Sequence, residues 1–501
     1  MEHSMNKLLK LLALVAAVLS LNVMGAPFKL SEESLEKLAQ KGSPQIDEIE
    51  AAFLNTAVKS GETREKFAPE LFGEGSYTET RERAITPVQP IFSPVKQAQL
   101  GIRKNFAQGF DTSAYVVTDQ RSATNPFIGR LQNVTTTTLA FTTQMDLWKN
   151  ILGRMSMAEL ETAELDQKRA KIEKEIQLKT FKISLRRIYW SLVANRESYL
   201  ISEGLLKTAK QQLGEAKLRL RNAVAEPDEV ARYEAQQASR EGTLLYLEYQ
   251  KEILLKQLRN LLPELSRTDV ELGKYDLNKT ITDVLACTAT IAQQPKAPYQ
   301  YTKYDEVVSM LRQIKSNNSV INSRYSDPDV KLFGTVKSTG VGSDSINERF
   351  VRGNYGDSFD DQTGDNRTGY EVGVSFTVPL GSVKDSTAEV KKRYDEKRLE
   401  AAINSTDTQV ITTHQQLSKS IALLTQVIRA QKVSSEQLSK RLSLSRKKYQ
   451  QARVSVDQLV LDQDALLNSE LTTIETQLQI LNTLFDYLVI YTETPCSFNR
   501  I

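Results

Sequence analysis

Tyr449–Gln463 reads YQQARVSVDQLVLDQ, and two heptad-patterned segments meet there end to end. Before it, Ile403, Val410, Leu417, Ile421, Leu424, Ile428, Leu438 and Leu442 fall on one stripe of alternating three- and four-residue steps. After it, Leu467, Leu471, Ile474, Leu478, Leu481, Phe485 and Leu488 continue that spacing. A narrow apolar stripe held over several heptads needs a partner helix, as in coiled coils. Between the stripes, Ser455 followed by Gln458 is a capping-box pattern, in which a hydroxyl and an amide satisfy free N–H groups at a helix start. The chain is therefore expected to turn here and run back.

The same figure occurs earlier. Leu178, Phe181, Leu185, Ile188, Leu192, Asn195 and Tyr199 open a stripe that continues to Leu220, and the tip NAVAEPDEV follows at Asn222–Val230. Glu226 takes the place of Ser455, and Pro227 stands where a first helical residue needs no N–H. Asp228 and Glu229 then occupy the turn in which the helix dipole favours acids. A weaker stripe returns through Val230, Tyr233, Leu244, Leu247, Leu254, Leu258 and Leu261. Two helical hairpins in one chain imply an internal duplication. The expected organisation is a first repeat over 27–265, a connecting segment over 266–300, a second repeat over 301–490 and a tail over 491–501.

Residues 1–26 read as a signal peptide: Lys7 and Lys10 precede the apolar run Leu11–Val23, and Gly25 and Ala26 offer a cleavage site. No later stretch reaches about 18 consecutive apolar residues, so a membrane-spanning role would need strands. A formal net charge of +3 gives no reason to expect nucleic acid. Without the signal, His414 is the one remaining histidine and lies on a heptad stripe, which favours packing over a metal site or catalytic triad. No set of nucleophile, base and orienting group emerges, so neither an enzyme nor a cofactor is expected. Cys287 and Cys496 suit an oxidising compartment. Each follows a hairpin whose ends should come together, which leaves two readings, a disulfide between them or two buried thiols.

The segments ahead of the hairpins also correspond. A helical pattern over Leu30–Ser60, broken at Gly42, Ser43 and Pro44, is followed by strand-like PELFGEGSYTETRE from Pro69. A helical stretch over Tyr301–Tyr325 is followed by PDVKLFGTVKSTG from Pro328. Val134–Asp146 (VTTTTLAFTTQMD) sets Leu139, Phe141 and Met145 against Thr138, Ala140, Thr142 and Gln144. Gly369–Pro379 (GYEVGVSFTVP) sets Tyr370, Val372, Val374, Phe376 and Val378 against Glu371, Gly373, Ser375 and Thr377. About ten residues alternating apolar and polar suit an outer-membrane strand, whose backbone only a closed barrel satisfies in lipid. A half-buried strand of a soluble sheet is the plainer alternative. Two strands per repeat give about four per chain, too few to close a barrel, so several chains must share one. The stretch 84–133, with strand-like pieces at Gln99–Phe106 and Asp111–Thr118, leaves open whether more strands are added.

The order helix, strand, loop, strand, long helix, tip and return helix, given twice behind a signal, resembles the outer-membrane efflux protein (TolC) family. GSPQI at Gly42–Ile46 is similar to an early N-P-E-[IL] step of that family. TVPL at Thr377–Leu380 is similar to its Q-P-L strand-to-helix transition, and ARVSVDQLVLDQDALL at Ala452–Leu467 to its hairpin tip. The resemblance implies an α+β membrane protein of duplicated strand–strand–helical hairpin repeats. It implies a homotrimer with a shared outer-membrane barrel of 12 strands, continued by an α-helical barrel in the periplasm. Such a protein is the exit duct of a tripartite efflux or type I secretion machine, embedded in outer-membrane lipid. It docks through its tips to a periplasmic adaptor and, indirectly, an inner-membrane pump. Thr138, Thr142, Gln144, Glu371, Ser375 and Thr377 would then line the barrel.

The resemblance also places acidic gate residues on the second return helix, where Asp457, Asp462 and Asp464 are the positional matches. For Asp457 the alternative is stabilisation by the helix dipole, about 0.3–1 kcal/mol. Adaptor docking falls on the tips: Asn222, Ala223, Glu226, Asp228, Gln451, Ala452 and Ser455. There are departures, since Ala223 and Ala452 stand where the family commonly has a tip glycine, and Met145 where it has a proline. The acidic stretch DSFDDQTGD at Asp357–Asp365 lacks the spacing of a calcium loop. The competing function is a periplasmic coiled-coil adaptor or scaffold without a pore, which explains the hairpins and the signal but not the strand pairs.

Overall fold

The structure, a computed structural model, describes residues 28–80, 91–124, 131–223, 226–293, 302–343, 354–362, 367–378, 382–451 and 453–491. The expected signal peptide, Cys496, Ala452 and the 491–501 tail beyond Tyr491 lie outside these residues. In chain order the first half contains β1 (Phe28–Leu30), α1 (Glu32–Gly42), α2 (Pro44–Glu65), β2 (Glu70–Thr78), β3 (Ile91–Phe106), β4 (Phe110–Thr124), β5 (Leu131–Asp146), α3 (Arg154–Arg221) and α4 (Pro227–Leu261). Then come β6 (Val270–Leu272), α5 (Leu277–Gln293), α6 (Tyr304–Ser323), β7 (Asp329–Ser343), α7 (Tyr355–Asp361), β8 (Thr368–Thr377), α8 (Ser382–Gln450) and α9 (Val456–Ile490). Two compact units interleave the halves of the chain. One takes residues up to Ala51, Glu173–Asp305 and from Thr408 onward, and the other takes Ala52–Ile172 and Glu306–Asp407.

The first unit is helical. α3 and α8, of 68 and 69 residues, are each about 100 Å long at about 1.5 Å per residue, and part of each lies in this unit. The stripes read from sequence face inward: Phe181, Leu185, Leu192, Ala209 and Leu213 on α3, Val410, Leu417 and Ile421 on α8, and Leu467, Ile474, Leu481, Phe485 and Leu488 on α9 are all buried. Each fully buried side chain of the size of Phe485 contributes about 1.5–3 kcal/mol. Leu30, Leu35, Val284 and Cys287 join that core from β1, α1 and α5. β1 pairs with β6 in parallel, Phe28 opposite Val270. This pairing was not legible in the sequence, because three residues are too few to show an alternation. Among the described residues no helix is long and apolar enough to cross a membrane.

The second unit holds a six-stranded antiparallel sheet of order β2-β3-β4-β5-β7-β8. The expectation of about four strands per chain is therefore corrected. The extra pair, β3 and β4, lies in the stretch whose strand content was left open. It was hard to read because Lys96, Lys104 and Gln120 interrupt its apolar positions. With six strands per chain, a shared barrel of 12 no longer follows from three copies.

Two junctions also differ from expectation. Ser455 caps α9 by accepting from the backbone N–H of Gln458 at 3.4 Å, but the Gln458 amide donates to Asp462 at 2.9 Å, so half of the box forms. A buried carboxylate one turn ahead competes successfully for that donor. Met145 sits within β5, opposite Phe110 and Leu332, so no proline-like turn forms there. The turn comes later. Leu152 and Gly153 take left-handed backbone at φ 51° and 72°, and the Asn150 side chain accepts from the N–H groups of Met155 and Ser156 at 3.0 and 3.1 Å. This satisfies free donors at the start of α3.

Candidate pore wall and hairpin tips

Because neighbouring strands are paired residue for residue, the period-two alternation of each strand combines into two faces of the sheet. One row runs Leu71, Ile102, Ala114, Phe141, Val336, Tyr370 across all six strands. A second runs Phe106, Phe110, Met145, Leu332, Val374. On this face Leu71, Ile102, Phe141, Val336 and Tyr370 are 74%, 56%, 52%, 54% and 85% exposed, far more apolar surface than a water-facing sheet presents. The opposite row runs Glu70, Arg103, Ser113, Thr142, Thr335, Glu371. Arg103 meets Glu70 at 2.7 Å, and Thr142 shares a hydrogen bond with Thr335 at 3.0 Å. The register brings Thr138, Thr142, Gln144, Glu371, Ser375 and Thr377 together on this polar face. Arg103 and Ser113, on β3 and β4, were not named as lining residues from the sequence, which shows those strands only as strand-like pieces.

At the tips, α3 ends at Arg221 and Ala223 adopts φ 55°, the left-handed conformation that glycine favours. The turn thus takes a glycine-type geometry without a glycine. Pro227 opens α4, with Glu226 in extended backbone before it but making no side-chain cap. Asn222, Ala223, Glu226, Asp228, Gln451 and Ser455 are exposed. Tyr233 and Tyr449 pack behind the tips with Leu213, Ala216 and Val456. Arg219 donates to the Tyr449 hydroxyl at 2.6 Å and pairs with Glu229 at 3.1 Å. Burial pushes both phenols up, so they remain neutral donors at ordinary pH.

The three acidic positions on α9 differ sharply. Asp457, 55% exposed, pairs with Arg232, which also reaches Asp228 at 3.3 Å. Asp464, 43% exposed, pairs with Arg240. Between them Asp462 is 2% exposed and turned into α8, where it accepts from Ser445 at 2.5 Å and Gln458 at 2.9 Å and pairs with Arg441 at 2.7 Å. Asp457 and Asp464 therefore face the groove between α4 and α9, which Gln236, Ser239 and Val460 also line, whereas Asp462 braces the second hairpin. A Gln236–Gln463 bond of 2.8 Å crosses the same interface. The counter-ions were not foreseen. Arg240 was nonetheless legible, since it falls on the weak α4 stripe between Tyr233 and Leu247 and is buried there.

Elsewhere in the helical unit His414 Nδ1 lies 2.5 Å from the Tyr491 hydroxyl, which accords with packing. Glu32, at the start of α1, accepts from Trp190 Nε1 while its second oxygen is buried without a partner. Burial is the main cause that pushes its carboxyl above the usual range, opposed by Arg186 and by the Trp190 bond. Cys287 is buried on α5, and Cys496 lies outside the described residues. No group of side chains able to hold a metal ion occurs among the described residues.

No family model and no curated relative matches this sequence. Solved structures do. The outer membrane protein VceC of Vibrio cholerae superposes with a TM-score of 0.60 at 14% identity, over 92% of this chain and 97% of that one. The CmeC outer membrane channel of Campylobacter jejuni gives 0.61 at 10% identity, over 94% and 88%. The MtrE outer membrane channel of Neisseria gonorrhoeae, in its open state, gives 0.55 at 13%, over 91% and 88%. Two of these are named as channels and none as an enzyme. These matches cover 91–94% of this chain, which has the fold of the outer-membrane efflux channels, the TolC fold.

Proposed function

We propose that the protein is an outer-membrane exit duct, conducting substrates from the periplasm to the exterior without changing them chemically. The observation that carries this reading is the six-stranded sheet with one exposed apolar face and one polar face, in a chain with the channel fold. An apolar strand face of this kind is stable against lipid, and the open edges of β2 and β8 require closure by further copies. The duct is a homotrimer, and Thr138, Thr142, Gln144, Glu371, Ser375 and Thr377 face its lumen. The helical hairpins extend into the periplasm, where the tips around Asn222–Asp228 and Gln451–Ser455 meet an adaptor protein that links to an inner-membrane pump, in an efflux or type I secretion system. Asp457 and Asp464 form the acidic constriction, with Asp462 holding the helix that presents them. A threefold set of carboxylates prefers cations once Arg232 and Arg240, which pair with them in this chain, release them.

Single-channel recording of the purified protein in planar bilayers, with its mass measured in detergent, tests the reading. Discrete cation-selective openings from a trimer are expected. A water-soluble species without conductance would replace the duct by the pore-free adaptor.

A further inference from the structure

We infer that the hairpin β3–β4 is part of the membrane wall, so that three copies close a barrel of 18 strands rather than 12; this rests on the duct reading above. The hairpin does not fold away from the sheet. It sits between β2 and β5, with Val95–Arg103 of β3 paired to β2 and Phe110–Thr124 of β4 paired to β5. Its residues extend both faces, with Leu100, Ile102, Ala114 and Val116 on the apolar face and Gln99, Arg103, Ser113 and Asp119 on the polar one, where Tyr115 and Val117 also stand. A lumenal plug or an external cap has no reason to carry that alternation in that register.

The charge pattern on the apolar face fits a wall as well. On β3 this face is bounded by Lys96 and Lys104, eight residues apart, or about 26 Å along a strand. At the strand tilt of about 35–45° in outer-membrane barrels this spans about 18–21 Å of membrane height, inside the apolar band of about 25 Å. Long lysine side chains at its borders reach out to the interface.

The turn of the hairpin is fixed at the end of the sheet where α3 begins. Gly109, at φ 84°, lies so close to the Asn150–Gly153 turn that a Cβ there would come within 2.5 Å of the Asn150 carbonyl oxygen. A Cβ on Gly153 would come within 2.0 Å of the Ala107 carbonyl oxygen. The carbonyl of Gly109 also accepts from the N–H of Asp146 at 2.9 Å. The short turn thus sits at the end of the sheet where α3 begins, as the short turns of outer-membrane barrels sit on the periplasmic side.

Closure follows from direction. In a sheet of six antiparallel strands the edge strands β2 and β8 run oppositely, so β8 of one copy pairs antiparallel with β2 of the next and no edge remains open to lipid. Since barrel diameter grows about linearly with strand number, the membrane section is about 1.5-fold wider than that of a 12-stranded duct. It therefore admits broader hydrated solutes.

Variants of the full chain each carrying one added cysteine, labelled with an environment-sensitive fluorophore in liposomes containing brominated lipid, test the wall assignment. Labelling of the unsubstituted protein supplies the background, and mass in detergent counts the copies. Ile102→Cys and Val116→Cys are expected to lose fluorescence to the brominated lipid as Phe141→Cys and Val372→Cys do. Gln99→Cys and Ser113→Cys should keep theirs and react with a water-soluble maleimide. Quenching at 141 and 372 but not at 102 and 116 would remove the hairpin from the wall and leave the duct intact. Quenching at none of these four would overturn the duct reading itself. Quenching at all four with two copies per particle would overturn the count of 18.

Discussion

Asp462→Ala separates a structural from a conductive role for the buried carboxylate of α9. The side chain is 2% exposed and holds Ser445, Gln458 and Arg441 at 2.5, 2.9 and 2.7 Å. Removing one member of a fully buried ion pair costs about 3–5 kcal/mol. Here Arg441 is 58% exposed and returns to water, so the ionic part shrinks to about 1 kcal/mol or less. Ser445 and Gln458 lose their acceptor, and a buried donor left unsatisfied costs about 1–3 kcal/mol. The expected loss is about 2–3 kcal/mol, localised where α8 and α9 approach the tip. At about 1.4 kcal/mol per factor of ten, hydrogen-exchange protection of peptides spanning 441–450 and 456–467 should fall about 30- to 140-fold, with segments of the sheet unaffected. Unchanged protection together with altered ion selectivity would show that Asp462 faces the lumen, and the bracing role would be wrong.

Other outcomes follow from single features of the fold. Ala223→Gly should stabilise the first tip by about 0.5–1 kcal/mol, because left-handed backbone costs a residue with a Cβ about 1–2 kcal/mol and glycine's unfolded-state freedom offsets part of that; local exchange protection after Asn222 reports it. Glu32→Gln tests the raised carboxyl. A carboxyl raised on folding favours the folded state below its ordinary pKa of 4.5 and opposes it as pH rises through the folded value. The amide, which still accepts from Trp190, should therefore raise the thermal midpoint at pH 7.5 and leave it unchanged near pH 4. Asp457→Ala with Asp464→Ala should reduce cation preference in bilayers while leaving oligomeric mass intact; unchanged selectivity would move the constriction elsewhere. Thiol labelling of unfolded protein should find no reactive cysteine until reductant is added, and labelling without reductant would rule out a Cys287–Cys496 bond.

Much of the architecture was legible because the two periodicities are strong. Heptad spacing in α3, α8 and α9 fixed their buried stripes, Pro227 and Ser455 marked helix starts at which helices do begin, and the break at Gly42–Pro44 is where α1 ends and α2 begins. β8 was legible because Tyr370, Val372, Val374 and Phe376 alternate without interruption. β3 and β4 were legible only in pieces, since their alternation is diluted by small and charged residues that are resolved into faces only when paired with β2 and β5. The tip site was half legible. Asp457, Asp462 and Asp464 have similar spacing and chemistry in the sequence, yet one is buried and two face a groove. The difference lies in where Ser445, Arg232 and Arg240 come to rest.

The sequence by itself determined the hairpins, their tips and the polar and apolar sides of individual strands, because these depend on residue types three, four or two positions apart. The tertiary structure alone decided how many strands share one sheet, which rows they form and which carboxylate meets which arginine. Those outcomes depend on contacts between residues far apart in the chain, such as Phe141 with Val336 and Arg240 with Asp464, and no local spacing encodes them.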